Sequence, residues 1–202
     1  AYYRPDRAVL GAAGDFDLDA MEAKIKAKFG DWTAKGPAGP ASFPATLTIE
    51  QNLFAGTFIA KAAEEDFWFW AMFNRSRECA YAEDSCRIHD LTIEAPAATN
   101  SGTATLVLKL RGNSASPGHR VAVSLNGTSL GEGQWDGLTD YSLSLPFEQE
   151  GLLRAGDNLV TVEALDAKDN YFFLDRFELT YQREYRALDG QLRATGMANQ
   201  QL

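Results

Sequence analysis

The feature that most constrains this chain is a period-two alternation that recurs from about residue 45 onward. Between Thr103 and Arg111, the side chains of Ala104, Leu106, Leu108 and Leu110 take one side, and Thr103, Thr105, Lys109 and Arg111 take the other. Successive side chains of an extended chain point to opposite faces, so this segment reads as a strand with one oily face. Leu47 and Ile49 alternate in the same way, as do Leu91 and Ile93. Val121, Val123 and Leu125 follow suit and run into Asn126-Gly127, the dipeptide that suits a tight type I′ hairpin. Tyr141, Leu143 and Leu145 alternate with Asp140, Ser142 and Ser144. Gly156-Asp157-Asn158 reads as a turn into a strand over 159–165, and Tyr171 to Tyr181 as the last strong strand. No helical pattern separates these segments, so they predict a mainly β chain with an antiparallel β-sandwich or jelly-roll fold rather than βαβ units.

The region before them is different. Arg7 to Gly14 reads as a short strand closing in a turn. A helix should follow, capped by Asp17 or Asp19, whose side-chain oxygen can accept orphan backbone N–H groups. Met21, Ile25 and Phe29 share one helical face, Glu22 and Lys26 form an i,i+4 pair, and Gly30 should end the helix as a C′ residue. Proline and glycine then crowd Lys35 to Pro44, which predicts a linker. The expected organisation is a strand-helix unit over 1–34, a linker over 35–44, a sandwich over 45–183 and an extension over 184–202. A unit as small as 1–34 buries little surface alone. It is expected to dock on the sandwich, to pair with another copy in a homo-oligomer, or to be poorly ordered.

Composition narrows the function. At 202 residues and 45% hydrophobic, the chain can build a packed core. Its net charge of −9 argues against nucleic acid and anionic membranes as partners, since both need a Lys/Arg footprint. No apolar run approaches the ~18 residues of a membrane span. The first residues, Ala1-Tyr2-Tyr3-Arg4-Pro5, are not a signal peptide and include no Met. The chain is therefore expected to be cut from something longer, and its cellular address is not readable from this end. Cys79 and Cys86 are either a disulfide, which would favour a secreted or extracytoplasmic location, or two free thiols. With His89 they do not make a zinc site, which wants four ligands in paired spacings.

Four places are candidate binding sites. Asp175 falls in line with Phe173, Phe177, Leu179 and Tyr181 on the apolar face of the last strand. A carboxylate there must either accept bonds from a loop, Trp135 or an arginine, or contact a ligand or calcium, unless a bulge shifts the phase. Phe67 to Phe73 is a dense aromatic run, in which Trp68 and Trp70 serve as core, partner surface or glycan platform. Trp135-Asp136-Gly137 reads as a turn, with Trp135 either a half-buried cap or a sugar-stacking ring. Asp166, Asp169 and Asn170 make a polar loop that is either solvated or holds a structural calcium through oxygen ligands. No other cofactor is expected. The chain has no Gly-x-Ser-x-Gly nucleophile motif.

Two runs of residues carry resemblances. Tyr3-Arg4-Pro5-Asp6-Arg7-Ala8-Val9, Gly14-Asp15-Phe16-Asp17, Met21-Glu22 and Phe29-Gly30-Asp31-Trp32 resemble a segment of the pitrilysin-like M16 zinc metallopeptidases, over about residues 1–39. That family's zinc motif, His-x-x-Glu-His, is absent from this chain, whose histidines are His89 and His119. Residues 45–183 resemble the β-sandwich that precedes the catalytic domain in gingipain-like C25 cysteine peptidases. This resemblance rests on Asp66-Phe67-Trp68-Phe69-Trp70, Ser101 to Leu106, Val123 to Gly127, Gly131, Trp135-Asp136-Gly137, Gly156 to Leu159 and Leu174 to Tyr181. The Asn-Gly hairpin and the Leu-Asp-x-Phe-Glu-Leu strand are shared with galactose-binding-like jelly rolls. In the C25 family the catalytic Cys–His pair lies in a later domain, so no catalytic residue carries over.

These resemblances imply a non-catalytic accessory or interaction module from a peptidase context, not an enzyme. Its partner would be another protein or the remainder of a larger polypeptide. A carbohydrate-binding module with a glycan partner is the first alternative, and a vestigial fusion fragment without activity is the second.

Overall fold

The alternating segments become strands. The computed structural model describes residues 14–31, 42–56, 67–74, 86–115, 118–165 and 170–186. The chain order is α1 (Leu18–Phe29), β1 (Ser42–Glu50), β2 (Phe54–Ala55), β3 (Trp68–Phe69), β4 (Ala71–Asn74), β5 (Ile88–Ala95), β6 (Thr103–Gly112), β7 (His119–Leu125), β8 (Thr128–Trp135), β9 (Asp140–Glu148), β10 (Gly156–Ala164) and β11 (Tyr171–Glu184). Nine of these strands form two antiparallel sheets. One has the order β1-β11-β6-β9, with β4 also pairing β11. The other has the order β5-β10-β7-β8. β2 and β3 form a separate two-stranded ribbon.

The apolar faces of the two sheets meet in one core. Ala104, Leu106, Leu108 and Leu110 of β6 face Val121, Val123 and Leu125 of β7 and Val160 and Val162 of β10, with Phe177, Leu179 and Tyr181 of β11 among them. The alternation is a consequence of this burial, since each strand buries every second side chain. Asn126 and Gly127 turn the β7–β8 hairpin at φ 48° and 84°, the left-handed conformation that a type I′ turn requires.

β11 is the spine of the larger sheet. Tyr171–Leu174 pair with Asn74–Ala71 of β4, and Arg176–Glu184 pair with Glu50–Ser42 of β1, while β6 runs along the opposite side. Thus β4 and β1 share one flank of β11. The register breaks between Leu174 and Arg176, where the ladder to β6 slips past Asp175 in a β-bulge. One extra residue reverses the alternation. Phe172 and Leu174 enter the core before the bulge, and Phe177, Leu179 and Tyr181 after it. Phe173 is buried on the other face, so the expected line of Phe173, Asp175 and Phe177 is not formed.

Buried polar side chains hold the loops. Gln149 is fully buried. Its Nε2 donates to the carbonyls of Thr99 and Gln182, and its Oε1 accepts from the Gln182 N–H. Asn158 uses all its polar positions. Its Oδ1 accepts from Arg154 N–H and Asn126 Nδ2, and its Nδ2 donates to the Arg154 and Gly156 carbonyls. The expected turn at Gly156-Asp157-Asn158 is therefore already strand, braced by the asparagine.

Other expectations are corrected in detail. β1 starts at Ser42, where a linker was expected. Phe43 is buried there and packs on Tyr185 at 4.8 Å, and Pro44 is tolerated because β1 is an edge strand. Asp17 caps α1 by accepting the Ala20 N–H at 2.8 Å, and Lys26 pairs with Glu22. Gly30 closes the helix at φ −65°, in right-handed rather than left-handed conformation. None of the α1 residues is buried. The predicted strand at 7–14 lies, apart from Gly14, outside the described residues, as do 35–41 and 187–202.

Tyr181 is fully buried and its hydroxyl donates to the Pro96 carbonyl at 2.9 Å. Burial pushes its phenol above the ordinary value of 10.0, with Arg183 opposing and Glu94 reinforcing the shift. A raised pKa means the fold binds the neutral phenol. That stabilisation is complete below about pH 10 and is lost as pH rises through the folded value. Tyr181→Phe should cost about 1–2 kcal/mol at neutral pH in urea melts. It should also flatten the alkaline decline in stability seen in the parent; an unchanged decline would contradict this assignment.

Candidate functional site

The aromatic run after residue 66 divides at Trp70. Phe69 ends the β2–β3 ribbon, Ala71 begins β4, and the Trp70 N–H donates to the Leu174 carbonyl at 2.8 Å. The run is therefore split between the ribbon and the larger sheet. Trp70 is buried and meets Phe177 edge-on at 5.2 Å. Phe69 is buried against Phe173, with ring centroids 4.6 Å apart. Trp68 is 40% exposed and stacks on Phe67, which is equally exposed, at 5.8 Å. Leu53 and Phe54, beside and within β2, are exposed as well.

Trp135 is the last residue of β8 and is buried at 7% exposure, a core ring rather than a half-buried cap. Its indole stacks on Tyr141 at 4.8 Å, meets Phe172 edge-on at 5.2 Å and packs on His119 at 4.7 Å. The sequence showed a Trp-Asp-Gly turn, but the β7–β8 register carries Trp135 opposite His119 and into the interior.

Asp175 is partly exposed at the bulge and accepts from the Arg176 guanidinium. It lines a cleft of about 190 Å³ on the outer face of the larger sheet, together with Phe69, Lys109, Arg111, Asp140, Ser142 and Arg176. The register explains the grouping. Arg176 pairs with Lys109 across β11 and β6, and Lys109 and Arg111 pair with Ser142 and Asp140 across β6 and β9. Arg111 Nη1 donates to Asp140 at 2.9 Å. Lys109 Nζ donates to Ser142 at 3.3 Å and lies 3.5 Å from Glu178. Arg176 Nε lies 3.4 Å from Glu178. The sequence placed Lys109, Arg111, Asp140 and Ser142 on outward faces, but did not pair their strands.

Both histidines are held by the framework. His119 is fully buried, with Nε2 3.1 Å from the Gly137 carbonyl and Nδ1 3.3 Å from Asn170 Oδ1. His89 Nε2 lies 2.9 Å from the Met72 carbonyl. Asn170, one member of the expected polar loop, donates to the Arg120 and Leu165 carbonyls. The other members, Asp166 and Asp169, lie outside the described residues. Among the described residues no group of three or more His, Cys, Asp or Glu side chains is placed to hold a metal ion. Cys86 is buried and disulfide-bonded, and Cys79 lies outside the described residues.

The fold is thus an antiparallel β-sandwich carrying a small charged cleft. Residues 1–61 match the family model described as Peptidase M16 inactive domain. This stretch reaches past the 1–39 of the resemblance and includes α1, β1 and β2. Among solved structures, the chain is similar to dimeric latent PorU from Porphyromonas gingivalis, a gingipain-like C25 peptidase. The TM-score is 0.52 and the identity 15%, over 80% of this chain and 15% of PorU. The chain thus spans a small part of PorU's length. Two carbohydrate-binding modules also align. One is the CBM36-1 domain of a xylanase from the hindgut metagenome of Trinervitermes trinervoides (TM-score 0.39, 10% identity, 67% of this chain, 96% of that one). The other is CBM36 in complex with calcium and xylotriose (TM-score 0.40, 17% identity, 67% of this chain, 98% of that one). No curated protein matches. Both peptidase resemblances read in the sequence therefore reappear in the comparisons.

The burial of the two rings separates their roles. Trp135→Ala should lower unfolding free energy by about 3–5 kcal/mol, as for other large core rings. Trp68→Ala should cost less than about 1 kcal/mol, because its ring is partly exposed. Urea titrations read by circular dichroism check both, and equal losses would contradict the placement.

Proposed function

We propose that this chain is a non-catalytic β-sandwich accessory module from a peptidase context, built to support or contact the remainder of a larger polypeptide or a protein partner. The observation that carries this reading is the similarity to PorU, which extends over 80% of this chain and a small part of PorU. The match of residues 1–61 to an M16 domain described as inactive supports it. So does the placement of both imidazoles, each within hydrogen-bond distance of framework oxygens. The exposed apolar side chains of Leu53, Phe54, Phe67 and Trp68 supply area of the kind that protein contacts cover. No described helix is long and apolar enough to cross a membrane.

Incubation of the full chain with casein and a panel of peptide substrates should yield no cleavage above a buffer blank. Reproducible cleavage abolished by His89→Ala or His119→Gln would overturn the reading.

A further inference from the structure

The charged cleft is distinct in character from the exposed apolar side chains of the ribbon, from which it takes only the buried ring of Phe69. We propose that it binds one neutral polyhydroxylated unit, a monosaccharide or the terminal sugar of a glycan.

The bulge makes the site. By adding a residue to β11 it brings Asp175 and Arg176 side by side on the outer face, where regular alternation would present one of them. Opposite them the ladder presents Lys109 and Arg111 from β6 and Asp140 and Ser142 from β9. Phe69, fixed against Phe173, closes one wall with an apolar ring. A bulge that re-aims side chains beside a cleft is where a strand gives up ladder regularity for a binding surface.

The charge pattern selects the ligand class. Lys109, Arg111 and Arg176 are matched by Asp140, Asp175 and Glu178, each cation contacting a carboxylate. An ionic ligand would displace one partner and leave its charge unmatched. A hydroxyl both donates and accepts, so neighbouring hydroxyls can bridge a carboxylate and a guanidinium with no change in net charge. Bonds of this kind to charged groups are about twice as strong as neutral ones. The Asp140 side chain is 79% exposed while one of its oxygens accepts from Arg111, so a ligand hydroxyl can reach the carboxylate without breaking that pair. The volume of about 190 Å³ is below the range of drug-sized pockets and suits one ring rather than an oligosaccharide.

The test is an NMR titration of the ¹⁵N-labelled full chain. The probes are glucose, galactose, mannose and xylose, their methyl glycosides, and acetate and glucuronate as anions. A neutral sugar should shift the amides of Lys109, Arg111, Asp140, Ser142, Asp175 and Arg176 at millimolar concentration. Asp140→Asn and Arg176→Gln, both at the surface, should each weaken that binding by about tenfold. Free sugar alone binding identifies a monosaccharide, and equal binding of its methyl glycoside identifies a glycan end; both support the proposal. It is overturned if no neutral sugar shifts these amides, if acetate shifts them as strongly, if the shifts fall on Phe67 and Trp68 instead, or if both variants bind like the parent. None of these outcomes bears on the absence of proteolysis, so the two readings fail separately.

Discussion

The structure depends on β11 being hydrogen-bonded along both edges. This strand of 14 residues holds β6 on one side and both β4 and β1 on the other. Its inward side chains, Phe172, Leu174, Phe177, Leu179 and Tyr181, supply much of the large apolar volume in the core. At about 25 cal/mol per Å² of apolar surface removed from water, a run of such residues is a major part of what opposes chain entropy. The flanking strands gain from it in turn. β4 is only four residues long and β1 lies at an edge, so each relies on β11 for its ladder and for the sheet against which its side chains pack.

The bulge at Asp175 reconciles two demands on this strand. Before it, β11 must place Phe172 and Leu174 inside while Phe173 meets the ribbon ring Phe69 outside. After it, Phe177, Leu179 and Tyr181 must be inside. An uninterrupted strand cannot bury Leu174 and Phe177 on one face, because they are an odd number of positions apart. The extra residue resolves the conflict, sets the boundary between β4 and β1, and leaves two charged side chains adjacent on the surface. The cleft is thus a by-product of core packing.

What could be read from the sequence follows from which signals are local. Alternation in Thr103–Arg111 and the Asn126-Gly127 turn are written within a few residues, and both became the elements they indicate. The phase error at Asp175 arose because a bulge leaves no local mark: the run from Tyr171 to Tyr181 is apolar enough to fit either phase. Trp135 looked like a turn cap because Asp136-Gly137 follow it, but the register with β7 seats it beside His119. Phe43 and Pro44 looked like linker by composition, yet pairing with Arg183 and Gln182 makes them strand. The cleft residues were each visible as outward-facing. Their meeting depends on β6 lying between β9 and β11, a long-range arrangement that periodicity does not encode.

The match to an M16 domain runs through β1, so a segment of that likeness supplies an edge strand to a sandwich that resembles part of a C25 peptidase. The two resemblances therefore meet in one sheet, along β11. Native-state hydrogen exchange tests the role of that strand most directly. The account predicts that amides of Phe172 to Leu174 and Phe177 to Tyr181 exchange slowest, and only through global unfolding. Faster exchange there than in the edge strands β8 and β9 would contradict it.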